Sequence, residues 1–419
     1  MEAEAPTAPS DPAASPRLYT SGFWMAYAAN LLLVSGNSLT FRFAEFVAYL
    51  GGTERLSGQI VSVGLVAAVC MRFWLGQALD RYGPRRVWLS STVLFVVATS
   101  TFTLLGALSP LMWVARISHA VAIAGMFSSS MVHIQNQVPA HRRTEAIASL
   151  GSSGFLGTIL GTQLGDLIFW WFTGSDGFTA MFAGTTVMGL LHGVIVWHLT
   201  RAEEHAPPSD SPGAFVLLRR HWPGMITLVA MAMGATFSVT TVFLTRYATD
   251  RQIRGIGTFF LGYSLSAFLF RLLTRRWGET VGRHQMALIG MAALTAGLLA
   301  FLPVRSELWF LVPAVVCGLG HALLFPAVVS LGSGRFPPRY RGSATTLVLG
   351  FIEVGTIISA PLLGAIIDYF DHRGFAQMFC TTATVCAVVG AIYLVTSARH
   401  ADIDLKAEAE TAAPLDEVS

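Results

Sequence analysis

The chain is short of charge. Only 12% of its 419 residues are Asp, Glu, Lys or Arg, against roughly 25% in an ordinary soluble domain. Too few polar side chains are present to coat a surface that faces water on all sides. Lysine is nearly missing: Lys406 is the only one, so the basic residues are almost all arginine. These arginines are scattered between apolar runs and the net charge is +3, which gives no basic stripe for a nucleic-acid partner. Cysteine is scarce too. Cys70, Cys317, Cys380 and Cys386 all fall inside apolar segments, and no paired spacing suggests a disulfide framework or a zinc site. The pattern GxxxxGK[ST] is missing, which excludes an ATP-driven pump acting alone, and so are HExxH, CxxC and a nucleophile elbow. No enzyme chemistry and no cofactor are expected. The opening stretch "MEAEAPTAPSDPAASPRLYT" lacks the basic-then-apolar order of a signal peptide and reads as a disordered tail.

What the chain has instead is apolar length. Hydrophobic residues make up 53% of it. Twelve apolar segments can be traced, with cores at 22–47, 57–78, 87–108, 111–137, 144–171, 178–199, 222–248, 256–276, 284–303, 307–333, 343–369 and 375–397. A helix of about 20 apolar residues crosses a bilayer. Hydrocarbon satisfies no free backbone group, and the segments do not alternate as barrel strands would. The expected class is therefore an all-α integral membrane protein of twelve transmembrane helices.

Arginine placement sets the expected orientation. One set of loops carries Arg81, Arg85, Arg86, Arg142, Arg143, Arg201, Arg219, Arg220, Arg275, Arg276, Arg283, Arg335, Arg339 and Arg341. The alternate loops carry fewer, mostly beside acids. The rich set belongs in the cytoplasm, which puts both termini there. The longest connection, residues 201–221, is rich in Pro, Ser and charge and reads as a solvated cytoplasmic linker. It divides the chain into a tail at 1–21, a six-helix unit at 22–200, a second at 222–398 and a tail at 399–419.

The two units carry a weak repeat. "MRFWLGQALDRYGPRRVWL" (71–89) aligns with "FRLLTRRWGETVGRHQMAL" (270–288). Arg72 then meets Arg271, Asp80 meets Glu279, and Gly83 meets Gly282. Arg85 falls within one residue of Arg283. "TFRFA" aligns with "LTRYA", pairing Arg42 with Arg246, and "PAHRRTEA" aligns with "PPRYRGSA", pairing Arg143 with Arg341. Three matches in one order make chance a poor explanation.

The hinge "GQALDRYGPRR" concentrates charge between the second and third apolar runs. Its pattern of Gly76, Asp80, Arg81, Gly83, Arg85 and Arg86 resembles the loop signature of the major facilitator superfamily. The twelve spans, the repeat and the central linker resemble that family as well. The resemblance implies two pseudo-symmetric six-helix bundles that move a solute by alternating access. It also implies that this loop latches the halves when the outer gate is open, beside the plain reading of a topology anchor. The physics of the loop can be read directly. Gly83 allows a tight turn, Gly76 allows close helix approach, and Asp80 suits the N-terminus of another helix. The second copy departs from the pattern at Glu279 and Thr280, with Arg275 where Gly76 has its mate.

Other motifs match in part. Arg116 stands where the family often has an intramembrane arginine linked to proton coupling, with Ala120 in place of the usual glycine. "GSSGFLGTILGTQLGDLI" resembles the antiporter signature, but Thr162 takes the proline position and Asp166 a glycine position. Gly157, Gly161 and Gly165 still form a packing face. Ionisable residues inside spans are functional candidates: Arg42, Arg72, Arg116, Arg246, Arg271, His321 and Glu353, with Asn30 and Asn37 on the first span. Arg42 and Arg246 could equally snorkel to the outer interface and pair with acids. Arg72 could brace the latch, and His321 could be a packing histidine. His133, Gln135 and Asn136 could form a gate cluster. The expected activity is secondary transport of a small organic solute, anionic by its arginines, driven by a proton or other coupling ion. Efflux of hydrophobic compounds and a non-transporting receptor or assembly role are the alternatives. The expected partners are a lipid bilayer, a substrate and a coupling ion. The expected state is a monomer in the cytoplasmic (inner) membrane.

Overall fold

The computed structural model describes residues 18–397 apart from Thr53, Ser209, Ser211, Arg254, Gly255 and 371–373. The two expected tails lie largely outside the described residues.

The first span is α1 (Ser21–Leu39), a tighter turn at Thr40–Arg42, and α2 (Phe43–Tyr49). Thr20 caps α1, its hydroxyl oxygen accepting from the Phe23 amide at 3.3 Å. α3 (Glu54–Thr103) contains two spans, because its backbone leaves helical geometry at Gly83, with φ 82 and ψ 161. Only glycine takes that φ without steric penalty. Pro84 then begins the next helix where no intrahelical N–H is needed. α4 (Pro110–Asn136), α5 (Arg143–Trp171) and α6 (Gly174–Thr200) complete the first bundle.

The segment expected as a plain solvated linker contains a short helix, α7 (Ala214–Arg220), with Ala214 and Leu217 buried. The second bundle starts with α8 (Ile226–Ser238), continues through a wide turn at Val239–Phe243, and resumes as α9 (Leu244–Asp250). α10 (Gly257–Leu273) and α11 (Arg283–Leu299) follow, with a bend of 75° at the break between them. α12 (Leu311–Gly334), α13 (Arg341–Phe370) and α14 (Gly374–Ser397) close the chain.

With α1–α2 and α8–α9 each taken as one span and α3 as two, twelve helices cross in two bundles of six. Among the described residues, seven helices pass alone as long and apolar enough to cross a membrane, α3 among them, and the bent α10–α11 pair passes together. α1 and α5 are less apolar because they turn small polar residues inward: Asn30, Ser35, Ser38, Ser149, Ser152 and Ser153 are buried. Outward positions carry large apolar side chains instead, such as Trp74, Leu104, Trp170 and Val395, more than half exposed. This inside-out polarity belongs to a protein solvated by lipid. α1 and α5 pack almost backbone to backbone: a Cβ on Gly161 would lie 2.3 Å from the Ser35 carbonyl oxygen. Across the bundles, α13 packs on α3 and α10 packs on α5.

Candidate functional site

The halves meet over a polar seam on the arginine-rich face. Asp80 ends the first span of α3 and points at the start of α13. Its Oδ1 accepts from the Gly342 amide at 2.7 Å and its Oδ2 from the Ser343 amide at 3.0 Å. These N–H groups have no helical acceptor of their own, and the helix dipole favours the carboxylate. Gly76 makes the approach possible, since a Cβ there would lie 2.6 Å from the Ser343 Cα. Side chains extend the seam. Thr144 donates to Ser330 at 2.9 Å, Gln135 to Thr345 at 3.1 Å, Ser333 to Gln135 at 3.1 Å, and Arg341 to Asn136 at 2.6 Å. His133 turns instead to Glu203 of the linker, at 2.6 Å.

The linker wraps the same face. The His205 ring lies over Gly83 and its Nε2 bonds the Asp80 carbonyl at 2.8 Å. Arg85 donates to the Arg201 carbonyl at 2.8 Å and its guanidinium lies 5.2 Å from the Trp197 ring centre. Arg81 lies over Tyr82, and Arg86 is exposed. The Tyr340 hydroxyl donates to Asp210 and holds that carboxyl below its ordinary range. Phe215 of α7 stacks on Phe73, with centroids 5.8 Å apart.

The second copy of the loop is built differently. Gly282 repeats the left-handed turn with φ 97, and Arg283 opens α11. Glu279 lies 3.8 Å from Arg142, which already holds Glu145 at 2.8 Å. Arg275 lies over the Tyr19 ring at 5.2 Å.

Beyond the seam, on the side away from it, lies a cavity of about 360 Å³ between the halves. Its charged and titratable lining residues are Arg72, Arg116, His119 and Glu353, with Asn37 near them. Arg72 and Glu353 make a two-pronged pair across the halves: Nε donates to Oε2 at 2.6 Å and Nη2 to Oε1. The Arg72 Nη1 also donates to Ser128 at 3.1 Å. Such forked pairs are the stronger kind of charged hydrogen bond. Arg116 has no such partner. Its guanidinium lies 4.8 Å from the Phe43 ring centre, and its Nε and Nη1 are buried without a hydrogen bond.

The other predicted residues lie outside this cavity. Arg271 is 2% exposed and wedged between Phe155 at 4.9 Å and Phe325 at 5.1 Å. Its Nη1 occupies the notch left by Gly151, where a Cβ would come within 1.8 Å. His321 bonds the Tyr263 hydroxyl within a ring of Phe155, Phe237 and Phe325. Arg42 sits at the rim, paired with Glu45 at 2.9 Å and Asp166 at 2.6 Å. Arg246 is exposed. Asn30 donates to Ser153 at 2.8 Å and joins α1 to α5. Residues not singled out from sequence also matter here: Ser128, Phe127, Phe325, Gly151 and the linker's His205.

A larger groove of about 740 Å³ runs between α8, α13 and α14, but no charged residue lines it. The central cavity is therefore the candidate site.

Comparison with known proteins agrees with this architecture. The chain is 20% identical over 385 residues to the staphylopine export protein of Staphylococcus aureus, covering 88% of this chain and 94% of that one. Its fold is similar to that of the proton:xylose symporter XylE, with TM-score 0.69, 16% identity and coverage of 88% and 94%. It is likewise similar to the human organic anion transporter MFSD10, with TM-score 0.70, 13% identity and coverage of 88% and 98%. The model of the Major Facilitator Superfamily matches residues 23–269 and 252–417, and the chain belongs to that superfamily as a multi-pass membrane transporter.

Proposed function

We propose that this chain carries a small organic anion across the cytoplasmic membrane by alternating access, as a monomer, with proton movement coupled through Glu353. The observation that carries the reading is the charge arrangement of the cavity. Arg116 faces it without an acid, and Arg72 is held by Glu353 across the two halves. Arginine is the side chain best suited to carboxylates and phosphates. A proton on Glu353 ends the ion pair and releases Arg72, so proton binding and the fit between the halves are linked. The groups facing Glu353 in this cavity are Arg72, Arg116 and His119.

With the arginine-rich face in the cytoplasm, both termini lie inside. The closed seam with its latch is then the cytoplasmic gate, and the cavity faces outward. Gly76, Asp80, Arg81, Gly83, Arg85 and Arg86 serve as the latch in this reading. Glu279, Gly282 and Arg283 form a weaker second copy. Efflux of hydrophobic compounds is the second reading. The apolar cavity walls favour it, and its outward direction is that of the Staphylococcus aureus relative, an export protein.

The test uses purified protein in liposomes with an imposed pH gradient. Wild type is expected to accumulate a labelled organic acid against its gradient. Glu353→Gln is expected to lose accumulation but keep counterflow exchange. Accumulation by Glu353→Gln equal to wild type would exclude this residue as the coupling group.

A further inference from the structure

We infer that the substrate is an amphipathic monoanion, with one carboxylate on Arg116 and an apolar body along the cavity wall. The inference rests on reading the central cavity as an anion site, and it goes further by counting charges. Four charged or titratable residues line the cavity. Arg72 and Glu353 cancel one another through their forked pair. His119 stacks its ring on Phe95 at 5.2 Å, and an ordinary imidazole is neutral at a pH of about 7.5. Arg116 remains, with Nε and Nη1 lacking partners. Among the described residues no acid lies within ion-pair distance of it. The cavity thus presents one net positive charge.

Among the described residues, Arg72 and Arg116 are the arginines that line the cavity. Arg271, another buried arginine with no acid beside it, is enclosed by Phe155, Phe325 and the Gly151 notch. The rest of the lining is mostly hydrocarbon: Val61, Leu65, Ile123, Phe127, Phe325 and Ile352. A buried cation without a counter-ion is unfavourable, and one carboxylate answers it with paired N–H donors. A second negative charge on the ligand would face apolar walls or the Glu353 carboxylate. An apolar body gains from the same walls. A cavity of about 360 Å³ is at the small end of ligand sites, which run from about 300 to 1,000 Å³, and suits a compact molecule.

The test is equilibrium binding to the full chain in lipid nanodiscs at a pH of about 7.5. The probes share a phenyl ring: 4-phenylbutyrate, its neutral amide, the dianion phenylsuccinate and the cation 4-phenylbutylamine. The amide controls for partition into lipid. The expected order places 4-phenylbutyrate about tenfold or more ahead of the other three, a difference of about 1.4 kcal/mol or more. Arg116→Gln should erase its advantage over the amide, and Arg116→Lys should keep part of it. Glu353→Gln frees Arg72, so phenylsuccinate should then bind as well as 4-phenylbutyrate or better. Phenylsuccinate matching the monoanion on wild type would overturn the single-charge count and leave the anion reading standing. The amide or amine binding as well as any acid, or no saturable binding of any probe up to about 10 mM, would overturn both.

Discussion

Phe155 occupies in the first half the place that Glu353 occupies in the second. Each lies twelve residues beyond a matched arginine, Arg143 or Arg341, and each meets the matched arginine of the opposite bundle. Arg72 finds a carboxylate at Glu353; Arg271 finds the face of a phenyl ring at 4.9 Å. The repeat shows the same contact in both copies, with an acid in one and a phenyl ring in the other. The two helix pairs across the halves, α3 with α13 and α5 with α10, are therefore chemically unequal.

Phe155→Glu should restore the missing acid. Its effect is expected to depend on Arg271. A double-mutant cycle with Arg271→Gln, read as thermal midpoints, should give a favourable coupling of about 1–3 kcal/mol. Additive effects within a few tenths of a kcal/mol would show that position 155 does not face Arg271.

Asp80→Asn keeps the shape of the contact with the Gly342 and Ser343 amides and removes its charge. A hydrogen bond to a charged group contributes about 1.5–3 kcal/mol net, so the closed seam should lose about tenfold or more in relative population. Spin-label distances across the arginine-rich face would read this as growth of a longer-distance component. An unchanged distance distribution would show that the two amide bonds of Asp80 do not set the equilibrium.

Gly83→Ala faces two separate obstacles. The φ of 82 with ψ of 161 costs an alanine about 1–3 kcal/mol, and its Cβ would lie 2.7 Å from the His205 ring. The variant should unfold at a lower temperature than wild type. Adding His205→Ala should return only the part due to the ring. Full recovery in the pair would mean that the backbone at position 83 is unstrained by a side chain.

The fold was legible because its causes are local. Apolar length and the turn at Gly83 each act over a few residues. The helix-terminus role of Asp80 was readable for the same reason, although the sequence did not say which helix would receive it. The Arg72–Glu353 pair joins residues 281 apart, and no local pattern links them. The likeness of Phe155 to Glu353 was in reach, since the Arg143–Arg341 match continues to both positions. The helix at Ala214–Arg220 is not legible in the sequence because a polar, proline-rich context hides a short apolar face that Phe73, Phe336, Tyr340, Ala344 and Leu347 complete. Nor could spacing alone separate Arg116, which faces the cavity, from Arg271, which is enclosed by aromatic rings.

The seam has a thermal consequence. Between its hydroxyls, amides, carboxylate and glycines it also buries hydrocarbon: Met131, Ile134, Ala146, Ile147 and Leu150 of the first half share one buried apolar cluster with Val328, Val329, Leu331 and Val348 of the second. Water can take over the polar partners when the halves part, but not the apolar ones. Burying or exposing such surface is marked by a change in heat capacity, so separation of this seam should show one. The balance between closed and parted seam should then curve with temperature.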